Sequence, residues 1–157
     1  MSVEKVKEYL KQFGKENEVL EFPTSSATVE LAALALGIEA GRIAKTISFK
    51  SADDNCILIV MAGDKKIDNK KFKETFGIKA KMLTPDEAYE LTGFKVGGIC
   101  PFAVNKELVS VYCDTSLQRY ETVYPACGSS NSAIKLTCDE LFTTSGSLEW
   151  IDVSKDI

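Results

Sequence analysis

Lys45 is the ionisable side chain whose surroundings in the sequence most favour chemistry. It lies in the segment Ile43-Ala44-Lys45-Thr46-Ile47, and Phe49 follows two residues later. If Ile43, Ile47 and Phe49 face the core from a strand, the two-residue period places Lys45 on that same side. A buried ammonium is costly unless it meets an anion or lines a cleft. The segment therefore predicts a lysine in a cleft, and the alternative is a solvated strand edge.

Two glycine-containing loops have the composition to border such a cleft. They are Gly97-Gly98-Ile99-Cys100-Pro101 and Cys127-Gly128-Ser129-Ser130-Asn131. Paired glycines let a ligand approach backbone N–H groups closely, and those groups can donate to a carbonyl or a phosphate. The small hydroxyls of the second loop suit a polar pocket wall. For each loop the alternative is an ordinary structural turn.

The sequence contains no histidine and has five cysteines. The lack of histidine excludes Ser-His-Asp and Cys-His catalysis and His-ligated metals. No two cysteines form a CxxC motif, which argues against a zinc ribbon or a redox pair, so we expect no metal and no cofactor. The thiols are expected to be reduced and mostly buried. Cys100 and Cys127, both in loops, leave a thiol nucleophile open as an alternative.

The net charge of −4 conceals a basic segment. From Asp64 to Lys81 there are seven lysines and three acidic residues, a local net charge of +4. Such a run is typical of a solvated helix face, and it also fits a phosphate-binding patch.

Capping signals define the helices that must position these segments. Apolar residues recur at helical spacing from Val3 to Phe13 and predict a first helix that stops near Gly14. Four further helices are predicted by cap residues and glycine stops: 29–36 after Thr28, 69–76 after Asp68, 85 to 91 or 92 after Thr84, and one from Cys138 after Thr137.

Apolar and β-branched runs predict the strands. They cover 18–22, 42–50, 56–61, 78–83, 108–113, 121–124 and 133–136, with 42–50 and 56–61 forming a hairpin. Trp150, Ile151 and Val153 are expected to pack back on the body. Strict βαβ alternation is absent, so the prediction is an α+β fold, one compact domain over residues 1–157, with a mixed sheet of about six or seven strands and flanking helices.

The sequence gives no sign of a membrane partner. Its longest apolar run, Cys56 to Ala62, is far shorter than the roughly 20 residues of a membrane-spanning helix. The first ten residues alternate charged and apolar types, unlike a signal peptide. A cytoplasmic protein is therefore expected.

In this order, the motifs resemble the YbaK / prolyl-tRNA synthetase-associated domain family, which includes free-standing aminoacyl-tRNA deacylases. The resemblance covers roughly residues 15–145. It rests on Thr28–Ala33 with Leu36-Gly37, Ile43–Thr46, Ile57–Val60 with Gly63-Asp64 and Asp68, Thr92-Gly93, the GxxxP loop Gly97–Pro101 with Phe102, and finally Asp114, Gly128, Ile134 and Leu136-Thr137.

The resemblance implies a partly barrel-like sheet and hydrolysis of the ester between a wrong, small amino acid and the 3′-terminal adenosine of tRNA. Lys45 would anchor the charged 3′ end or orient the ester. The base would be the substrate's 2′-OH or a positioned water, so positioning would carry most of the rate. Aminoacyl-tRNA is the implied partner, an aminoacyl-tRNA synthetase is a further candidate, and DNA is not expected.

The remaining site residues follow from the same resemblance. The loop would supply backbone amides to the terminal adenosine or the ester carbonyl, and its substrate-binding residues would be Gly97, Gly98, Ile99, Cys100 and Pro101. The amino-acid pocket would be lined by Phe22, Thr24 and Thr46, with Gly128 and Ser129 in the second loop. The tRNA backbone would be contacted by Lys65, Lys66, Lys70, Lys71 and Lys73.

Two positions depart from the family pattern. Ala126 and Ala133 stand where some members carry a polar residue and an acid. They leave open a second hypothesis, a module of the same fold that binds aminoacyl-tRNA, a nucleotide or a protein without hydrolysis.

Overall fold

A mixed sheet of six strands curls into half a barrel at the centre of the computed structural model, which describes residues 2–23 and 28–157. Its strands are β2 Ile43–Lys50, β3 Cys56–Ala62, β5 Val109–Asp114, β6 Thr122–Pro125, β8 Leu136–Thr137 and β9 Trp150–Ile151. In spatial order they are β8, β6, β2, β3, β5 and β9. Two small antiparallel pairs complete the described strands, β1 (Leu20–Glu21) with β7 (Ser132–Ala133), and β4 (Lys65–Ile67) with β10 (Ser154–Asp156). The predicted α+β fold with a mixed, partly barrel-like sheet is confirmed.

Five α-helices flank the sheet in the described ranges, and most of their ends lie where the cap residues predict. They are α1 Ser2–Leu10, α2 Val29–Leu36, α3 Asn69–Phe76, α4 Pro85–Thr92 and α5 Cys138–Ser145. Thr84 and Thr137 each form a complete capping box, with Glu87 and Glu140 respectively. The first helix ends at Leu10, and a 3-10 turn carries the chain on to Phe13.

The β2–β3 hairpin is the middle of the sheet and separates two apolar cores. All seven residues of β3 are buried. Leu58 and Val60 face one core, together with Leu10 of α1 and Leu141 of α5. Residues of the opposite parity, including Ile59, face a smaller core that contains Phe72 of α3. Because both faces of β3 are covered, its sequence is uniformly apolar instead of alternating.

Some predicted strands differ from the observed ones. Residues 78–83 do not form a strand, and only Met82 makes an isolated bridge, to Phe49. The predicted strand 133–136 is divided into β7 and β8, which pair with different neighbours. Neither β4 nor β10 was predicted, since each is three residues long and depends on a partner far away in the sequence.

The C-terminal segment packs on the body as expected, and Asp114 holds it there. Asp114 is fully buried. Its carboxylate accepts hydrogen bonds from the backbone N–H of Val153 at 2.8 Å, the backbone N–H of Ser116 at 3.0 Å and the hydroxyl of Ser154 at 2.8 Å. A buried carboxylate with three donors joins the end of β5 to the last strand.

No helix in the described residues has the length and apolar character needed to cross a membrane.

We predict that Asp114→Asn destabilises the fold by about 2 kcal/mol, because the amide would turn a donor toward a buried donor. Urea unfolding measures the change. The matched control is Asp152→Asn, which removes only an exposed ion pair with Lys71 (N–O distance 3.0 Å) and should cost no more than about 0.5 kcal/mol. Equal costs for the two variants would contradict the role given to Asp114.

Candidate functional site

A cavity of about 250 Å³ lies against β2, where α2, the loop at Val96–Ile99 and the segment from β6 to β7 approach that strand. It is lined by Thr28, Val29 and Ala32, by Ile43 to Ser48 of β2, by Met82, Val96, Gly97 and Ile99, and by Tyr124, Ala126, Ser129, Ser132 and Ala133. Most of these residues are apolar, and several of them are alanine or glycine. Three segments that the sequence singles out, around Lys45, Gly97 and Ser129, thus share one cavity.

Lys45 lies on the predicted face of β2. The register pairs Lys45 with Met61, Ile47 with Ile59 and Phe49 with Ile57, so these side chains share one face of the hairpin. The ammonium donates to the carbonyl oxygen of Gly63 at 3.4 Å and to that of Lys65. An ammonium has three N–H donors, so in the described ranges one of them has no acceptor and is open to a ligand.

Burial lowers the pKa of Lys45 below its usual value, and the negative charges of Asp64 and Glu30 oppose that effect. Asp64 is not a direct partner, since its carboxylate is held by Arg119 at 2.5 and 3.0 Å. That bidentate pair lowers the pKa of Asp64. The Lys45 ammonium is therefore held by neutral carbonyls, and an anionic ligand would meet a partly uncompensated positive charge.

The two glycine loops touch through their backbones. A Cβ on Gly98 would lie 2.8 Å from the carbonyl oxygen of Gly128, and Gly128 itself has φ +94°. Gly98 and Gly128 line a second cavity, of about 460 Å³, rather than the first. Val96 and Ser129 line both, so the two cavities share a wall.

The GxxxP loop contributes to the first cavity through Gly97 and Ile99 only. The N–H of Gly98 is already bonded to the carbonyl of Lys95, at 2.9 Å. In the described part of the chain, the N–H groups of Gly97 and Ile99 have no such partner. Cys100 and Pro101, the last two residues of the loop, are buried and do not line the cavity.

Of the remaining residues predicted to line the pocket, some line the cavity and others do not. Thr46 lines the cavity. Phe22 does not, although its backbone exchanges hydrogen bonds with Asn131, which lies in the second loop. Thr24 lies outside the described residues. The hydroxyl of Ser129 lies 2.8 Å from Asn131 Oδ1 and 2.9 Å from Ser132 Oγ, so it is largely occupied by its own loop.

Buried thiols do not suit a nucleophile here. Burial raises the pKa of Cys100 to about 12 and that of Cys127 well above its usual value. The thiolate, which is the reactive form, is therefore strongly disfavoured at neutral pH. Within the described ranges, no three Cys, Asp or Glu residues cluster in a way that would hold a metal ion.

The five basic-patch lysines divide into two kinds. Lys65 pairs with Asp156, and Lys71 pairs with Asp152 and donates to the carbonyl of Ser154. Lys66, Lys70 and Lys73 are exposed, and none of them forms an ion pair with another described residue.

Sequence reasoning missed several walls of the cavity. Met82, Val96 and Tyr124 line it but belong to none of the motifs. Val29 and Ala32 of α2 belong to the motif Thr28–Ala33, but no place in the pocket was predicted for them. Ala126 and Ala133 also line it. Both positions depart from the family pattern, and that departure is the sequence signal that could have placed them in the cavity wall.

Comparison with known proteins gives a consistent picture. A family model described as "Aminoacyl-tRNA editing domain" matches residues 24–144. The protein YwhH of Bacillus subtilis (strain 168) is 54% identical over 99% of both chains. The "Putative Cys-tRNA(Pro)/Cys-tRNA(Cys) deacylase EbsC" of Enterococcus faecalis (strain ATCC 700802 / V583) is 27% identical over 74% of this chain and 71% of its own length.

A solved structure shares the whole fold. It is described as "Crystal structure of a putative trans-editing enzyme for prolyl tRNA synthetase". The two structures superpose with a TM-score of 0.88 and 30% sequence identity, and the match covers 98% of this chain and 97% of the other.

Proposed function

Because this chain belongs to the aminoacyl-tRNA editing domain family, we propose that it hydrolyses the ester that links a small amino acid to the 3′-terminal adenosine of tRNA. It acts in trans, on aminoacyl-tRNA released by a synthetase. The observation that carries the proposal is the shared cavity of Lys45, Gly97, Ile99 and Ser129.

The size and lining of the cavity favour a small aminoacyl group. Its volume is about 250 Å³, and Ala126 and Ala133 form part of its wall. A pocket of this kind rejects a large side chain sterically far better than it distinguishes two small ones. Alanine, cysteine, serine and threonine are therefore the amino acids to test first.

The reaction needs a water, a positioned ester and a stabilised oxyanion. Water attacks the ester carbonyl, the bond from that carbon to the ribose oxygen breaks, and a proton passes to the leaving oxygen. The neighbouring ribose hydroxyl or the water network carries that proton, since the chain has no histidine. The remaining N–H of Lys45 and the N–H groups of Gly97 and Ile99 supply donors for developing negative charge.

The exposed lysines of the basic patch supply the contact with the tRNA backbone. Lys70 and Lys73 lie on α3 and Lys66 on β4, near one another in sequence. Lys65 and Lys71 contribute less, because each is already paired with a carboxylate. Lysines of this kind position RNA without reading its sequence.

A binding module without hydrolytic activity is the second candidate. The lining by Ala126 and Ala133 favours it, because neither side chain can move a proton. The two candidates differ in whether a charged tRNA loses its amino acid.

We predict that Lys45→Met reduces deacylation at least about 100-fold, the loss expected when a donor to the developing charge is removed. The fold should remain stable, because the pKa of Lys45 is lowered by burial and its charge is thus unfavourable to folding at neutral pH. The assay uses tRNAs charged with Ala, Cys, Ser, Thr and Pro.

Lys50→Met is the matched control. Lys50 lies on the same strand, pairs with Glu87 at 3.5 Å and does not line the cavity. It should leave deacylation unchanged. Hydrolysis that survives Lys45→Met would remove Lys45 from the mechanism, and no hydrolysis of any charged tRNA by the wild type would favour the binding module.

We predict that Lys70→Gln with Lys73→Gln lowers the slope of log affinity for tRNA against log salt concentration by about 1.5, because each phosphate contact adds roughly 0.7–0.9. Filter binding between low and moderate salt measures the slope. The control, Lys11→Gln with Lys135→Gln, removes the same charge from exposed sites outside the patch and should change the slope much less. Equal changes in both variants would show that only net charge matters.

A further inference from the structure

The outer edge of β2 is paired at both ends and open in the middle. At its start, β6 pairs only with Ile43 and Ala44. Near its end, the carbonyl of Ser48 accepts from the N–H of Leu83 at 3.1 Å, and the N–H of Lys50 donates to Lys81 at 2.8 Å. Between these two points no strand in the described ranges pairs with this edge of β2.

Thr46 is the residue whose backbone faces the opening. Along β2 the odd-numbered residues bond to β3, as the 2.8 Å bond from Gly63 N–H to the carbonyl of Ile43 shows. The even-numbered residues face the other edge, because both groups of one residue point to the same side of a strand. In the described part of the chain, the N–H and C=O at this edge of Thr46 have no partner.

The side chain of Thr46 is also without a partner. Its Oγ1 is buried and makes no hydrogen bond to any described residue. An unsatisfied buried polar group destabilises a fold, so such groups in a native structure call for an explanation. In the described part of the chain, Thr46 therefore has three polar groups without a partner, in a residue that lines the cavity. Ala126, Ala133 and Met82 line the same cavity with apolar side chains.

We propose that the open edge of β2 at Thr46 binds the aminoacyl group as a one-residue antiparallel strand. The inference rests on the proposed function, that this cavity takes an aminoacyl ester. The α-ammonium donates to the carbonyl of Thr46, and the ester carbonyl accepts from the N–H of Thr46. In an antiparallel pair one residue exchanges both bonds with its partner, and an aminoacyl group has the same N–Cα–C=O spacing.

The direction of this pairing agrees with the position of Lys45. The N–H of Thr46 is the end of that residue nearer to Lys45, so the ester carbonyl and the ribose lie toward Lys45 and the ammonium toward Ile47. The amino-acid side chain falls on the same face as the side chain of Thr46, beside its free hydroxyl. The N–H bond also polarises the carbonyl that water attacks.

The substrate class follows from these contacts. A charged α-ammonium bonds the carbonyl of Thr46 more strongly than a neutral donor does, so the site prefers α-aminoacyl esters to α-hydroxyacyl esters. Charge-assisted hydrogen bonds are roughly twice as strong as neutral ones.

The test compares two unreactive ligands by calorimetry, 3′-(L-alanylamino)-3′-deoxyadenosine and 3′-(L-lactoylamino)-3′-deoxyadenosine. They differ only in the ammonium, which the second replaces by a hydroxyl. The alanyl ligand should bind about tenfold more tightly, the ratio that a difference of about 1.4 kcal/mol gives. Equal affinities, or no binding of either ligand, would overturn the inference.

Variants of Thr46 test the protein side. Thr46→Pro removes the edge N–H, which no strand uses, and should weaken binding of the alanyl ligand about tenfold. Thr46→Val keeps that N–H and should retain at least a third of the affinity. Equal binding by wild type and a folded Thr46→Pro would contradict the inference; if that variant does not fold, the pair of ligands still decides.

The two proposals fail separately. If the alanyl ligand binds more tightly than the lactoyl ligand but no charged tRNA is hydrolysed, binding at the β2 edge is supported and deacylase activity is refuted. If a charged tRNA is hydrolysed but the two ligands bind equally, deacylase activity is supported and binding at the β2 edge is refuted.

Discussion

The structure depends on a mismatch of length at β2. This strand has eight residues, but its outer neighbour β6 pairs with only the first two. Met82 closes the far end, and the gap between them leaves polar backbone at the border of the main cavity. A strand paired along the whole of β2 would have given these N–H and C=O groups hydrogen-bond partners, as nearly all buried backbone groups have. The gap makes the fold incomplete at one place, and the glycine loops and α2 are arranged around it.

Two features of the site shape the surroundings of that gap: a positive charge on Lys45 and a close contact between the two glycine loops. The Lys45 ammonium rests on two backbone carbonyls instead of a carboxylate, while Arg119 occupies Asp64. Gly98 and Gly128 let the two loops meet through backbone atoms, which sets the wall between the two cavities. Each device has a cost to stability, in desolvation or in conformational freedom, and the two covered cores of the β2–β3 hairpin offset it.

Features set by neighbouring residues, namely the helix ends and the face of β2 that carries Lys45, were predicted from the sequence. Thr28 and Gly37 bound α2, and Thr84 and Gly93 bound α4, because caps act within one turn of the helix. The period of two placed Lys45 on the face of Ile47 and Phe49. Residues 78–83 make a single bridge, from Met82 to Phe49, instead of a strand, and no local pattern shows which sheet edge a segment will meet. The cavity walls from α2, Met82 and Tyr124 depend on such long-range packing, whereas the ordered motifs predicted the family correctly.

We propose that the open edge of β2 holds the aminoacyl ester. A crystal structure with 3′-(L-alanylamino)-3′-deoxyadenosine would locate the bound group. We expect density for the alanyl group in the 250 Å³ cavity, with its nitrogen and its carbonyl oxygen each within about 3 Å of Thr46 backbone atoms. An alanyl group in the 460 Å³ cavity beyond Ser129, or on the surface away from β2, would contradict it.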